Sequence, residues 1–309
     1  MRPAEMKLNS EIQNILVPTD FSEGADNALE MAAQMAERHN ANVFLIHIYV
    51  PAIVVTGGGT QAIVTIDKNE DAVNYNKLLL HQKEQLRDEH PHVNVDLILQ
   101  QGHFVDSVNE IIKEKQIDLV IMGTEAKLNL KKFILGSCTY DAIVHGNCSV
   151  LTVPVSHKKY GFQKILFPLR NVEDLEAKLT LSLNLLQKNR AFINVLGLTD
   201  VENAAAFQTL AASVVKPLLV YRGSYDVNLV LTDENAVTIC EFSKQNQNDL
   251  IVLSNTDEHS WKSFIAGNFF KKIINATDIP LLFVKPKTEA EKAEEVPAVP
   301  ENFTRPVPG

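Results

Sequence analysis

The sequence predicts an α/β fold built twice in tandem, each unit a mostly parallel β-sheet flanked by helices. Three observations carry this reading. Short apolar runs alternate strictly with helical patterns, which calls for parallel strands joined by right-handed crossovers. The opening run Ile15-Leu16-Val17-Pro18-Thr19-Asp20 returns as Ile165-Leu166-Phe167-Pro168-Leu169-Arg170. Late in each unit, Asp118-Leu119-Val120-Ile121-Met122-Gly123 returns as Asp249-Leu250-Ile251-Val252-Leu253-Ser254, and Phe133-Ile134-Leu135-Gly136-Ser137 as Phe264-Ile265-Ala266-Gly267-Asn268. The chain of 309 residues is long enough for two domains of ordinary size, each with its own core. The expected units are 10–157 and 162–286, with 287–309 as a tail.

In the first unit, 14–19 is a short apolar run and reads as a buried strand. Ser22 follows as a helix N-cap, with Glu23 and Asp26 in the first turn, where acids suit the helix dipole. Ala28, Leu29, Ala32, Ala33 and Ala36 then recur at helical spacing. A second strand is expected over 43–50. Residues 51–66 read as irregular, with Gly57-Gly58-Gly59 as a flexible loop. A helix over 71–89 carries a partly apolar face at Val73, Leu78, Leu79, Gln82 and Leu86. The third strand is 93–99, and Val105, Val108, Ile111 and Ile112 mark the third helix. The continuous apolarity of 119–122 marks a strand buried on both faces. A fourth helix over 137–145 and a fifth strand over 150–153 close the unit. The second unit repeats the order but is shorter, and the deletion is expected at the glycine loop and long second helix. The short polar segment 156–163 favours close packing of the two units. The tail is rich in Glu, Ala and Pro without periodicity and reads as disordered.

The totals exclude several classes of function. A net charge of −9 argues against general nucleic-acid binding, which needs clustered Lys and Arg. Cys138, Cys148 and Cys240 are scattered and odd in number, which suits a reducing compartment. No CxxC or HExxH spacing points to a metal. The first thirteen residues lack the apolar core of a signal peptide, and no run reaches membrane-spanning length. The expectation is a cytoplasmic protein with no membrane partner.

Ligands of parallel α/β sheets bind beyond the carboxyl ends of the strands, where strand order reverses. Two segments are expected there: the Pro18-Thr19-Asp20 turn and a loop after Met122. In the second, Gly123-Thr124-Glu125-Ala126 is followed after nine residues by Gly136-Ser137. A helix starting near Ser137 offers unpaired N–H groups to phosphate oxygens. Gly123 and Gly136 would let the backbone approach a ligand, and Asp20 can accept hydrogen bonds from a ribose or base. The alternatives are that Asp20 caps the turn and that both glycines serve tight turns. His47 reads as a satisfied core histidine, and Cys138 as a buried, inert thiol. Trp261 packs over a vacated pocket or against a helix.

Pro18-Thr19-Asp20-Phe21-Ser22, the strand Leu45-Ile46-His47-Ile48, the Leu99-Gln100-Gln101-Gly102 turn and the late glycine motif together resemble the universal stress protein family. The resemblance spans nearly all of 10–155 and continues more weakly through 164–286. It implies two Rossmann-like domains, each a five-stranded sheet in the order 3-2-1-4-5, packed as an internal pseudo-dimer with exchange of the fifth strands, 150–153 and 281–284, as the contact. The association of two chains into a further homodimer stays open. It also implies an ATP site in the first unit. Asp20 and Ile48 would face base and ribose, Met122 and Gly123 the nucleoside, and Gly136, Ser137 and Cys138 the phosphates, with Pro18 and Ala126 completing the set. ATP-binding members carry Gly, two residues, Gly, nine residues, then Gly-Ser or Gly-Thr. Here Ala126 replaces the middle glycine. A Cβ there costs about 1 kcal/mol if the backbone must turn left-handed, and it takes up phosphate space. Glu125 adds unfavourable charge, which Lys127, Lys131 and Lys132 can offset.

In the second unit Asp20 becomes Arg170, Gly123 becomes Ser254, Ala126 becomes Asp257, Ser137 becomes Asn268, and the Gly102 turn becomes Asp233-Glu234; Gly267 alone survives. Carboxylates facing a phosphate site repel it, so no nucleotide is expected there. No nucleophile, base and orienting group can be assembled, so catalysis beyond weak ATP hydrolysis is not expected. The resulting expectation is a non-catalytic stress-response protein in which a nucleotide in the first unit acts on a switch or adaptor. The alternative is a scaffold for protein partners or an apolar ligand. An ATP-using transferase or ligase would need a glycine-rich loop after the first strand, which Thr19-Asp20-Phe21-Ser22 does not supply.

Overall fold

A computed structural model describes residues 11–50, 53–56, 62–65, 68–126, 133–134, 136–169, 175–199, 204–220, 224–232, 234–254 and 268–286. The first unit runs β1 (Asn14–Pro18), α1 (Glu23–His39), β2 (Asn42–Tyr49), β3 (Ile53–Thr56), β4 (Ala62–Thr65), α2 (Lys68–Glu89), β5 (Asn94–Gln101), α3 (Phe104–Glu114), β6 (Leu119–Ala126), β7 (Phe133–Ile134), α4 (Ser137–His145) and β8 (Val150–Pro154). The second runs β9 (Lys164–Leu169), α5 (Leu175–Asn189), β10 (Phe192–Thr199), α6 (Ala204–Val220), β11 (Ser224–Leu231), α7 (Asn235–Gln245), β12 (Leu250–Ser254), α8 (Asn268–Ala276) and β13 (Leu281–Val284).

The main strands form one sheet in the order β11-β10-β9-β12-β13-β8-β6-β1-β2-β5. Counted within each unit, this is the expected order 3-2-1-4-5, repeated. Along this path the pairing inside each unit is parallel, and the seam between β8 and β13 is antiparallel, with Leu281 opposite Thr152 and Phe283 opposite Val150. The fifth strands therefore meet, but by antiparallel edge pairing and not by the expected exchange. Two apolar layers cover the sheet, and both run across the seam. One packs α1, α2, α5 and α6 side chains, including Met31, Met35, Leu79, Leu183 and Val214. The other packs Val108, Ile111, Ile143, Ile239 and Ile273 from the opposite helices.

Local sequence explains the frame. Ser22 caps α1 by accepting from the Ala25 N–H, and Asn40 ends it in the left-handed conformation at φ 56°. Asp118 accepts from the N–H groups of Gln13 and Asn14 at 2.9 and 3.0 Å, which fixes the start of β1. Asp249 does the same for Gln163 and Lys164 at the start of β9, with bonds from 2.9 to 3.1 Å. This aspartate is a duplicated structural device. The 156–163 segment is pinned as well: Asn27 donates to the Pro154 and His157 carbonyls and accepts from the Tyr160 hydroxyl.

Four expectations need correction. Residues 51–66 are not simply irregular, because Ile53–Thr56 and Ala62–Thr65 pair as an antiparallel hairpin apart from the main sheet. Two β-branched runs on either side of a glycine cluster are a hairpin signature; Gly57 to Gly59 lie outside the described residues. On α2, Leu79, Gln82 and Leu86 face inward at spacing three and four, but Val73 and Leu78 lie off that line and are exposed. The third strand does not turn at Leu99; it pairs with β2 through Gln101. β6 continues four residues beyond Met122, because Glu125 and Ala126 pair antiparallel with Ile134 and Phe133. In the second unit, β10 leads into α6, so the shortening falls at the hairpin and long helix as expected. Arg170, Asp233, Asp257, Trp261, Gly267, Lys127, Lys131, Lys132 and the 287–309 tail lie outside the described residues.

Candidate functional site

The sheet order reverses beside β1: the chain moves to β2 and β5 on one side and returns to β6 and β8 on the other. The carboxyl ends of β1 and β6 therefore flank the crevice where parallel α/β sheets hold ligands. Pro18 ends β1, half-buried, and the Thr19 N–H continues the ladder by donating to the Ile46 carbonyl at 2.8 Å. The chain then breaks sharply. Phe21 adopts φ 65°, a sparsely populated region for an aromatic residue, and its N–H donates to the Thr19 hydroxyl at 3.0 Å. Asp20 is exposed at the tip. Its Oδ1 accepts from the Ser22 N–H at 3.1 Å and from the Ser22 hydroxyl at 2.6 Å. The turn-capping role is therefore present. Oδ2 has no hydrogen-bond partner among the described residues, and the side chain is exposed.

Gly136 and Ser137 open α4 at the surface. Gly136 is the N-cap, at φ −63° and ψ 158°, and no side chain caps the helix. The first-turn N–H groups of α4 are therefore free to bind an anion. A Cβ built on Gly136 would meet nothing within 4 Å among the described residues, so their packing does not demand a glycine here. Gly123 differs. A Cβ there would lie 1.9 Å from the Gly24 carbonyl oxygen, so this glycine serves the close approach of α1 to β6. Ala126 keeps its place four residues beyond Met122, but as a paired strand residue rather than part of a loop.

Cys138 lies on the surface, not in the core, which corrects the expectation of a buried thiol. Partial shielding from water raises the thiol pKa, and the charges of Asp141 and Asp20 add to the rise despite a hydrogen bond with Ser137. The influence of Asp20 on Cys138 also places the β1 tip beside the start of α4. Met122 is buried in the apolar layer on the α3 and α4 side, and half-buried Ile48 packs against that same layer. Pro18, Asp20, Ile48, Met122, Gly136, Ser137 and Cys138 thus converge on one end of the sheet.

An aromatic group on the opposite face was not legible in the sequence. His47 lies 4.6 Å from the Phe21 ring and 4.3 Å from the Tyr75 ring, and Tyr49 lies 5.6 Å from Tyr75. His47 donates from Nδ1 to the Thr19 carbonyl at 2.8 Å and is half-buried, so it is satisfied at one nitrogen and sits near the rim rather than the core. The alternation of His47 and Tyr49 on one strand face was the available signal; Tyr75 arrives from α2, which no local pattern announces. Gln82 links the same region by accepting from the Thr19 hydroxyl and donating to Asp26 Oδ1 at 2.6 Å.

On the face of the sheet that carries the His47 rings, the second unit is packed differently. Gly197 occupies the position of His47, and a Cβ there would lie 1.8 Å from the Phe207 ring of α6. Lys178, buried on α5 where α1 has Ala28, donates to the Pro168 carbonyl at the end of β9 and lies 4.5 Å from the Phe167 ring centroid.

Residues 11–154 match the model of the universal stress protein family. Universal stress protein MJ0531 of Methanocaldococcus jannaschii is 26% identical over 161 residues, covering 49% of this chain and 92% of that protein. The Na(+)/H(+) antiporter NhaS5 of Synechocystis is 23% identical over 271 residues; the match covers 84% of this chain and 36% of the antiporter's length. The crystal structure of a universal stress protein from Archaeoglobus fulgidus superposes with a TM-score of 0.70 at 15% identity, covering 90% of this chain and 99% of that one. That likeness extends the fold across both halves. No helix among the described residues is long and apolar enough to cross a membrane.

Proposed function

Because residues 11–154 match the model of the universal stress protein family, we propose that the first unit binds ATP or a related nucleotide and that the second serves as its fixed, ligand-free partner. The protein acts in the cytoplasm as a nucleotide-responsive switch or adaptor rather than as a catalyst. One observation carries this reading: the exposed α4 start, with open space at Gly136 and uncapped N–H groups, lies beside the exposed carboxylate of Asp20. The phosphates rest on Gly136, Ser137 and Cys138. Asp20, Pro18 and Ile48 hold the ribose and base, with Met122 beneath the nucleoside. Gly123 shapes the crevice by letting α1 approach β6.

The residue changes at the second crevice support the asymmetry: Ser254 stands where β6 has Gly123, and Asn268 where α4 opens with Ser137. On the opposite face of the sheet Phe207 packs over Gly197, and Lys178 takes the Pro168 carbonyl.

The test is a thermal shift with millimolar ATP. A ligand that binds only the folded chain raises its melting temperature by mass action. The full chain is expected to shift, Gly136→Asp to lose the shift through charge and bulk at the phosphate cradle, and Ala126→Gly to enlarge it. A parent that does not respond, or a shift that survives Gly136→Asp, removes the nucleotide from this crevice and leaves the scaffold reading.

A further inference from the structure

The end of α2 meets α1 in a group of carboxylates around one buried histidine. His90 follows the last residue of α2 and is 5% exposed. Its backbone is fixed on both sides: the N–H donates to the Leu86 carbonyl at 2.7 Å, and its carbonyl accepts from Val93 at 3.1 Å. On the ring, Nδ1 lies 2.9 Å from Glu37 Oε1, and Nε2 lies 3.2 Å from each oxygen of Glu30. Gln34 steadies Glu30 by donating to Oε1 at 3.1 Å. Glu89 joins from α2: one ligand atom each of Glu30, Glu89 and His90 lies within 4.8 Å of the others.

Tying α2 to α1 through an ion pair needs one carboxylate. Here three surround a single imidazole, and even the protonated ring leaves the group negative. Arg38, the neighbouring cation, directs its guanidinium to the Tyr160 carbonyl. The excess negative field reaches Tyr160, whose pKa is raised by burial and further by Glu30 and Glu89. The ring is also held in a particular way. A carboxylate on Nδ1 fixes the tautomer and turns Nε2 toward a second carboxylate, the arrangement found behind metal-ligating histidines. Atoms bound to one tetrahedral ion at ~2.1 Å lie about 3.4 Å apart, close to the Nε2–Glu30 separation.

We propose that His90 Nε2, Glu30 and Glu89 bind a first-row divalent cation of the Zn2+ class, with Glu37 as the positioning residue on Nδ1. Imidazole with carboxylates suits such ions. The cation binds the neutral ring and displaces any proton from Nε2. It fastens the end of α2 to the middle of α1, on the face of the sheet opposite α3 and α4. The site is independent of the nucleotide crevice.

The test uses the tag-free full chain, stripped with chelator and titrated with ZnCl2 by calorimetry at pH 7.5. One ion per chain and a raised melting temperature are expected. Co2+ in place of Zn2+ adds a visible absorption band that reports the ligand set. Glu89→Gln, at an exposed position, and His90→Asn are each expected to weaken binding at least about tenfold, and Glu37→Gln to weaken it by a similar factor through the ring. The exposed His81 and His92 serve as controls, and their paired replacement by Asn leaves binding unchanged. Circular dichroism checks that each variant is folded; if His90→Asn unfolds, Glu89→Gln decides. Absence of stoichiometric binding by the parent, or equal affinity in Glu89→Gln, overturns the site.

Discussion

A Cβ placed on Gly123 would lie 1.9 Å from the Gly24 carbonyl oxygen, whereas one on Gly136 would meet nothing within 4 Å among the described residues. The sequence presents these glycines as a pair in one motif, and the structure separates their roles. Gly123 lets two backbones touch; Gly136 leaves a surface open at a helix start. Gly123→Ala is therefore expected to cost about 2 kcal/mol, because α1 or β6 must shift within a packed layer. Gly136→Ala is expected to cost less than about 1 kcal/mol, since its φ and ψ suit any residue and only the N-cap preference changes. Urea denaturation of the two variants checks the contrast, and equal losses would mean that the open space at Gly136 is needed for folding. Asp20 shows a similar division within one side chain. One oxygen caps the turn through Ser22 and the other is left for solvent or ligand, so the capping and binding readings are compatible.

The elements explain why the two units differ on the face opposite the crevice. In the first unit, β2 carries His47 and is followed by the β3–β4 hairpin and long α2. In the second, β10 carries Gly197, and the shorter connection brings Phe207 of α6 down onto it. The deletion and the glycine belong together: the ring fits only because the Cβ is missing. Phe207→Ala should then cost about 3 kcal/mol, the usual loss for emptying a buried aromatic site, without creating an ATP response. Denaturation and thermal shift measure the two parts; a gained ATP response would show that packing on this face, rather than the changes at Ser254 and Asn268, excludes the nucleotide. The strands and helices were largely legible in the sequence because their signals are local. Continuous apolar runs gave β1, β6, β8, β12 and β13, and Ser22 marked the start of α1. What escaped depends on distant partners. β6 runs past Met122 because β7 pairs with it, and β5 runs past Leu99 because β2 supports it. Which leucines of α2 face inward, and which rings gather around His47, are set by packing angles that no residue spacing encodes. The opposed roles of Gly123 and Gly136 were hidden for the same reason, since a glycine does not announce what approaches it.

At the scale of the whole molecule, the antiparallel β8–β13 seam joins two sheets into one, and both apolar layers cross it. Helices α1 and α5 pack across the same boundary, and His39, the last residue of α1, feels both Arg38 of its own helix and Lys188 of α5. His39 is 6% exposed, and neither ring nitrogen has a hydrogen-bond partner among the described residues. Burial, then the positive charges of Lys188 and Arg38, push its pKa down from 6.5 to about 4. In the folded chain the ring stays neutral until about pH 4, while in the unfolded chain it takes up a proton near 6.5. Between those values the unfolded state binds more protons, so acid favours unfolding. The contribution is unchanged above pH 6.5, is lost as pH falls through the window, and is fully lost below about 4. A shift of this size corresponds to roughly 3 kcal/mol of differential stability. His39→Leu removes the titration and an unpaired buried ring while keeping an apolar side chain at the boundary. Stability measured by urea from pH 7 to pH 4 should therefore fall less steeply in the variant than in the parent, and the curves should diverge most between pH 6 and 4 (estimated from the same shift, about two-thirds of the full difference by pH 5). Because His90 and the carboxylates titrate in both proteins, their effects cancel in the comparison. Parallel curves across that range would mean that His39 reaches water in the folded chain, and that the boundary between the units is looser than its packing indicates.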